Sequence, residues 1–369
     1  MATILSLTHI VFFYLAISCL LYSMTLNRKN KVVAAHCFFR IHPHCCKFVR
    51  VLKIVGDHQR IGGGLRAFVE YMSTGQWQIL KLEDVDFSSS GNVDVFGICR
   101  LFRTISMDGC YYNDDQFNTF YLASPSLQNL SVGRCTSCKY RGLSTDASSL
   151  VTSSAAARFY DGITSRLLHG PAGLKTLFYR AEYGFPEDML TNKTFWPTVS
   201  HSLATLLTLH MRVYSDTLNV TQKFITAAGD SLTVLEVIIF PESILPPESC
   251  YNLSASPSLQ HLLLAETSNN VDIFLTPLKT LLLSNSLHRL QLYIAVVDGE
   301  FEEAKWKALS SILQDTKKFP TLTIHVYLYV WSIGNRMEVQ PVRDIMDSIQ
   351  EVLGKKRIEY QKCHVPRYP

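Results

Sequence analysis

Between residues 36 and 46 the chain gathers six side chains of metal-binding type: His36, Cys37, His42, His44, Cys45 and Cys46. Imidazole and thiolate are the ligands of a tetrahedral zinc site, but their spacing here matches no finger pattern. The expectation is that the cysteines pack and the histidines face water, with no metal held. Cys135-x-x-Cys138 has the spacing of a redox or metal half-site, yet no second pair stands at a matching distance. Gly62-Gly63-Gly64 would let a backbone approach a phosphate. It lacks both the Lys-Ser/Thr of a P-loop and the glycine spacing of a dinucleotide site, so it reads as a turn before a helix. No Gly-x-Ser-x-Gly elbow, no His-Glu-x-x-His helix and no carboxylates paired in a plausible pocket occur. The expectation is a protein without catalytic residues, cofactor or metal, not an enzyme.

The bulk composition agrees with a recognition role. Lys plus Arg number 35 against 31 for Asp plus Glu, which calls for no nucleic-acid partner. The apolar fraction of 47% is ample for a large core. Ten scattered cysteines form no compact disulfide framework and point to a reducing compartment, cytoplasmic or nuclear. Residues Ile4 to Met24 carry no charged group apart from His9, and that length can span a bilayer. Arg28, Lys29 and Lys31 follow the run instead of preceding it, as in an anchor whose body faces the cytosol. Sequons at Asn129, Asn192, Asn219 and Asn252 support the alternative of a membrane-anchored or secreted, glycosylated receptor.

What would position a binding surface is a repeat. Segments of the form apolar-x-x-apolar-x-apolar occur at Val49/Leu52/Ile54, Trp77/Leu80/Leu82, Phe102/Ile105/Met107, Leu127/Leu130/Val132 and Leu174/Leu177/Tyr179. They continue at Leu203/Leu206 in degenerate form, then at Leu232/Leu235/Val237, Leu259/Leu262/Leu264, Leu287/Leu290/Leu292 and Phe319/Leu322/Ile324. The middle positions step by 28, 25, 25, 47, 29, 29, 27, 28 and 32 residues. The long step crosses a Ser/Ala-rich insertion near 139–165 that reads as one degraded repeat plus a loop. A lead phrase recurs, as in SPSLQNL at 124–130 and SPSLQHL at 256–262, and its Ser and Pro are turn signals. Helix-compatible stretches lie between, at Gly64–Ser73, Arg158–Leu168 and Phe301–Leu313. In the last, Phe301, Ala304, Ala308, Leu309, Ile312 and Leu313 share one face, leaving Glu302, Glu303, Lys305 and Lys307 to water.

Strand followed by helix, repeated every 25 to 32 residues, predicts an α/β leucine-rich-repeat solenoid of the ribonuclease-inhibitor horseshoe kind. Parallel strands would line the concave face and helices the convex one. Two units end in cysteine three residues past the last apolar position, at Cys110 and Cys135, where a buried Cys bonds to neighbouring backbone. With RIHPHCCKFVRVLKI at 40–54, this resembles the fungal, basidiomycete-type F-box and leucine-rich-repeat family over Arg40 to Trp331. The resemblance implies a substrate-recognition subunit: an F-box docks on the adaptor of a cullin-type ubiquitin ligase and the horseshoe captures the substrate. The chain departs from the family before Arg40, where no Leu-Pro opening with helical apolar spacing is found, so a truncated relative fits too.

The expected organisation is an apolar segment at 1–30 with a membrane span at 4–24, an F-box-to-repeat linker at 31–47, the array at 48–331, and a cap and tail at 332–369. Val342–Leu353 is the expected C-terminal cap. The partners are a protein substrate on the concave face, a ligase adaptor, and a membrane through residues 4–24. Outward strand positions Lys81, Glu83, Asp108, Arg180, Glu236, Gln291, Tyr293 and His325 are the candidate protein-binding residues.

Overall fold

The structure is a computed structural model. It describes residues 15–27, 29–56, 76–87, 99, 101–112, 117, 120–121, 124–137, 171–180, 196–214, 218–240, 251–266, 271–281, 286–296, 302–315, 317, 319, 322–330, 339–354 and 358–363. The fold is α/β, with a twelve-stranded parallel sheet alternating with helices, and it divides into two compact units. The first unit is Met1–Leu174 with Glu182–Ser202; the second is Lys175–Ala181 with Leu203–Pro369. The predicted helices at 64–73 and 158–168, and the insertion near 139–165, lie outside the described residues.

In the first unit, helical residues 15–21 lead into β1 (Ser23–Leu26), α1 (Lys29–Ile41), a 3-10 turn (Pro43–Phe48) and β2 (Val51–Val55). Then come β3 (Ile79–Glu83), β4 (Thr104–Asp108), the short β5 (Tyr111–Tyr112), β6 (Asn129–Gly133) and the short β7 (Thr136–Ser137). Parallel pairing puts Met24, Leu52, Leu80, Ile105 and Leu130 in one line across the strands, and Leu26, Ile54, Leu82, Met107 and Val132 in the next but one. Because side chains alternate between faces, both lines point one way, and from Leu52 onward all their members are buried. Strand entry is equally regular. Carbonyls of Tyr22, Arg50, Gln78 and Arg103 each accept two successive backbone N–H groups of the next strand, at 2.8 to 3.1 Å.

The N-terminal residues bear on two expectations. Ser23 and Met24, the last two residues of the run Ile4–Met24, belong to β1, one period before Leu52, and residues 4–14 of that run lie outside the described residues. Among the described residues no helix is long and apolar enough to cross a membrane. Residues 31–47 form most of α1 and of the 3-10 turn, with Val32 and Phe39 buried seven residues apart, and the parallel sheet already includes β1 ahead of residue 48. Pairing favours β1: Tyr22, just before it, gives the N–H groups of Arg50 and Val51 an acceptor.

Strands β3, β4 and β6 each end in the same corner. Asp84, Gly109 and Arg134 stand one after another at positive φ of 52°, 63° and 46°, which turns the chain sharply. The next residue, Val85, Cys110 or Cys135, then points inward and is buried. The Cys110 thiol donates to the Leu82 carbonyl at 3.5 Å and Cys135 to the Gly133 carbonyl at 3.1 Å. This is the inward backbone-bonding position that the sequence assigns to both cysteines. After the corner β5 and β7 pair in a second small parallel ladder.

The second unit contains β8 (Thr176–Arg180), the end of α2 (Trp196–Leu203), β9 (Thr208–Tyr214), α3 (Leu218–Ala228), β10 (Val234–Phe240) and β11 (His261–Glu266). It continues with α4 (Asp272–Thr280), β12 (Arg289–Val296), α5 (Glu303–Leu313), β13 (Thr323–Val330), α6 (Val339–Leu353) and β14 (Ile358–Cys363). Leu177, Leu209, Leu235, Leu262, Leu290, Ile324 and Ile358 share one line. Two predicted phases therefore shift: the β9 repeat reads Leu206/Leu209/Met211, and the β13 line passes through Ile324, not Leu322. Val342–Leu353 lies in α6 as expected, burying Met346, Ile349 and Leu353, but β14 follows it, so it is not the last element.

Helices cover the leucine lines. Tyr179 meets Phe224 of α3 edge to face at 6.0 Å between ring centres. Residues Leu218, Thr221, Phe224, Ile225 and Ala228 of α3 are buried at helical spacing, and Gly229 at φ 51° stops the helix. In α5 the buried face is Trp306, Leu309, Ser310 and Leu313. Ala304 is exposed and Ala308 and Ile312 only half-buried, a correction to the predicted face; Lys305 is half-buried against Asp272 at 2.9 Å. The lead phrase also has a physical cause. Ser124 and Ser256 are fully buried at the turn, where the backbone carbonyl of each accepts from the N–H three residues on, Leu127 or Leu259, and the Ser124 hydroxyl donates to the Phe120 carbonyl at 2.8 Å.

Candidate functional site

Opposite the leucine lines, the sheet turns its other set of side chains to the open. All eight predicted binding residues stand on this face, at the alternate register positions. They divide between the units.

In the first unit Lys81 is exposed, Glu83 pairs with Lys53 at 2.7 Å, and Asp108 accepts from Arg134 Nε at 2.8 Å and again from its Nη2. Thr104 and Asn129 join them through a 3.1 Å hydrogen bond from the amide. These are exposed ion pairs, each worth little to stability.

The second unit holds a concavity. A cavity of about 280 Å³ opens on β8 to β12. Its floor is Ile238 and Leu263, each only 5% exposed, which cluster with Ala265 and are flanked by Phe240 and Tyr293. Apolar residues at outward strand positions are unusual where a face meets water, so this patch needs a cover. One wall is His210 and Glu236, neighbours in register on β9 and β10, with Nδ1–H donating to the carboxylate at 2.6 Å. Burial, the largest single influence, pushes the Glu236 carboxyl up. The His210 hydrogen bond with the charges of His210, His261 and Arg212 outweighs it and holds Glu236 below the ordinary carboxylate range. The other wall is Arg212, whose guanidinium carbon lies 5.6 Å from the Phe178 ring centre.

Beside the cavity runs a polar and aromatic chain. Tyr293 stacks on Tyr327 at 4.2 Å with planes 7° apart. Gln291, nearly buried, accepts from His261 Nε2 at 2.9 Å and donates to the Tyr327 hydroxyl at 3.2 Å. His325 lies against Tyr327 and pairs with Glu359 at 3.1 Å. Both histidine bonds to carboxylates and the amide bridge fix ring orientation, so the rim is pre-organised.

Of the predicted residues, Glu236 and Tyr293 line the cavity, Gln291 and His325 adjoin it, and Arg180 stands in register with Arg212. Lys81, Glu83 and Asp108 belong to the first unit and not to this site. Phe178, His210, Arg212, Ile238 and Leu263 are additions. His210 and Arg212 escape the pattern because the predicted β9 phase falls three residues early; Ile238 and Leu263 carry the signal of apolar side chains at outward positions. A His–Glu pair is half of an acid–base constellation, but the described lining supplies no serine, threonine or cysteine nucleophile.

The 36–46 cluster is dispersed: Cys45 and Cys46 are buried, Cys37 is exposed, and His42 and His44 are exposed with rings 6.0 Å apart. Burial, with the neighbouring Cys45 adding, pushes the Cys46 thiol up to about 11. Among the described residues no group of three or more ligand-type side chains converges. Of the sequons, Asn129 lies in β6, Asn219 is exposed on α3, Asn252 is exposed with its side chain accepting from the Ser254 N–H, and Asn192 lies outside the described residues. No protein-family model matches this chain, and no curated protein matches its sequence.

Proposed function

We propose that this chain is a non-catalytic protein-binding scaffold of the leucine-rich-repeat kind, whose second unit holds a partner segment on its open sheet face. The observation that carries the reading is the cavity over Ile238 and Leu263. It lies at or below the small end of ligand pockets, roughly 300–1,000 Å³, a size for one or two side chains rather than a cofactor. Its surroundings are of the kind that anchors interfaces: a tyrosine pair, an arginine on an aromatic ring and a buried amide already satisfied. A partner would place an apolar side chain on the floor while its backbone and polar groups meet His210, Glu236 and Arg212. The register lines and the corner cysteines support the repeat class.

The resemblance to F-box and leucine-rich-repeat proteins adds a role, substrate recognition for a cullin-type ubiquitin ligase, or capture without recruitment in a truncated relative. Affinity capture of the full chain from native cells, beside Tyr293→Ala and Arg212→Glu variants, tests both parts. A partner held by the native chain and lost from the variants supports the binding face; the cullin adaptor among captured proteins supports the ligase role. A partner equally held by all three refutes the site. A membrane-anchored or secreted receptor is the rival reading, favoured by the exposure of Asn219 and Asn252 in their sequons. A mobility shift on glycosidase treatment would decide for it.

A further inference from the structure

Helix α1 is apolar on both sides. Val32, Ala35, His36 and Phe39 face inward at positions i, i+3, i+4 and i+7, with Val32 and Phe39 fully buried. Ala34, Cys37, Phe38 and Ile41 repeat the same spacing on the opposite side, and all four are exposed, Ile41 at 67%. A helix on a protein surface normally puts polar residues there. Lys31 and Arg40, both exposed, border this outer stripe at its two edges. The preceding helical residues add Leu15 and Leu20, the latter 79% exposed, and Tyr22 follows at 51%.

Charge supplies the second observation. The first 56 residues contain seven Lys and Arg and no Asp or Glu, so the chain's whole net charge of +4 originates in this segment. Exposed apolar side chains rimmed by cations, in a stretch without a single acid, complement an anionic lipid surface. There the apolar groups enter the headgroup boundary while Lys and Arg stay with the phosphates. A soluble protein partner would call for acids on its own surface and a concave receptor. The outward side of α1 is instead convex, as a helix must be.

We propose that the outer face of α1, through Val33, Phe38 and Ile41 with Lys31 and Arg40, docks this protein peripherally on an anionic bilayer. The helix lies along the surface and does not cross it. Binding combines an apolar part, insensitive to salt, with an electrostatic part that salt screens. This is independent of the cavity in the second unit.

Co-sedimentation of the full chain with vesicles tests it, using phosphatidylcholine alone and phosphatidylcholine with about 30% phosphatidylserine. The native chain should prefer the anionic vesicles roughly tenfold or more, and raised salt should narrow that preference. Lys31→Gln with Arg40→Gln should lower partition to anionic vesicles roughly tenfold. Phe38→Glu with Ile41→Glu should abolish it, while circular dichroism and melting temperature stay native, since all four side chains are exposed. Failure of the native chain to sediment with anionic vesicles overturns the proposal, as does equal binding by both variants. Light scattering that finds a native dimer made monomeric by Phe38→Glu with Ile41→Glu would overturn it too, assigning the face to a second copy.

Discussion

Gly109→Ala is the substitution whose cost can be worked most fully from the structure. Gly109 sits at φ 63°, where a side chain costs roughly 1–2 kcal/mol. An added Cβ would also collide with Asp84 Oδ1, in the equivalent corner one repeat earlier. The Asp84 carboxylate would have to leave its rotamer, at roughly 0.5–1.5 kcal/mol. The single variant should thus lose about 2–3 kcal/mol in urea unfolding. Asp84→Gly relieves the strain at φ 52° and removes the obstructing carboxylate together, so alone it should be neutral or stabilising by up to about 1 kcal/mol. In the double variant Gly109→Ala should cost only its backbone part. The cycle should therefore give a coupling of roughly 0.5–1.5 kcal/mol, beyond the few tenths expected of independent sites. Additivity within that error would refute the stacking of corners, and with it the register of β3 on β4.

Other outcomes follow from burial and charge. Leu209→Ala should destabilise by about 2–5 kcal/mol, because Leu209 lies fully buried in the line that the corrected β9 phase assigns to it. Cys19 and Cys37 should react with a thiol reagent in the native chain, whereas Cys99, Cys110 and Cys135 should react only after unfolding; burial raises the Cys99 and Cys135 thiols and shields them. Glu236→Gln should lower stability at neutral pH. A carboxylate held below its ordinary pKa of 4.5 stabilises the fold above that value and loses the effect as pH falls through its lowered one. The gap between native and variant unfolding free energies should therefore close as pH falls below about 4.5.

The strands are legible in the sequence because the buried lines repeat a chemically simple demand, an apolar residue at each of three places per turn. Every such place from Val49 to Val132, and again from Leu232 to Leu292, is buried as the pattern requires. Phase fails where apolar residues crowd both alternatives. Leu203, Leu206, Phe319 and Leu322 are buried too, just outside β9 and β13, so apolarity alone does not locate the strand. β1 and β14 escape for a related reason: one overlaps the end of an apolar run that reads as a span, the other is the polar IEYQKC segment. Outward positions such as Glu236 and Tyr293 are visible from alternation, but their convergence with His210 and Arg212 depends on pairing that only the fold supplies.

A photo-crosslinking side chain placed at Tyr293, compared with the same group at the exposed Lys307 of α5, tests the binding face most directly. A discrete covalent adduct with a partner protein is expected from Tyr293, lost when Leu263→Glu blocks the cavity floor, and none from Lys307. An adduct from Lys307 with none from Tyr293 would contradict the assignment of the binding face.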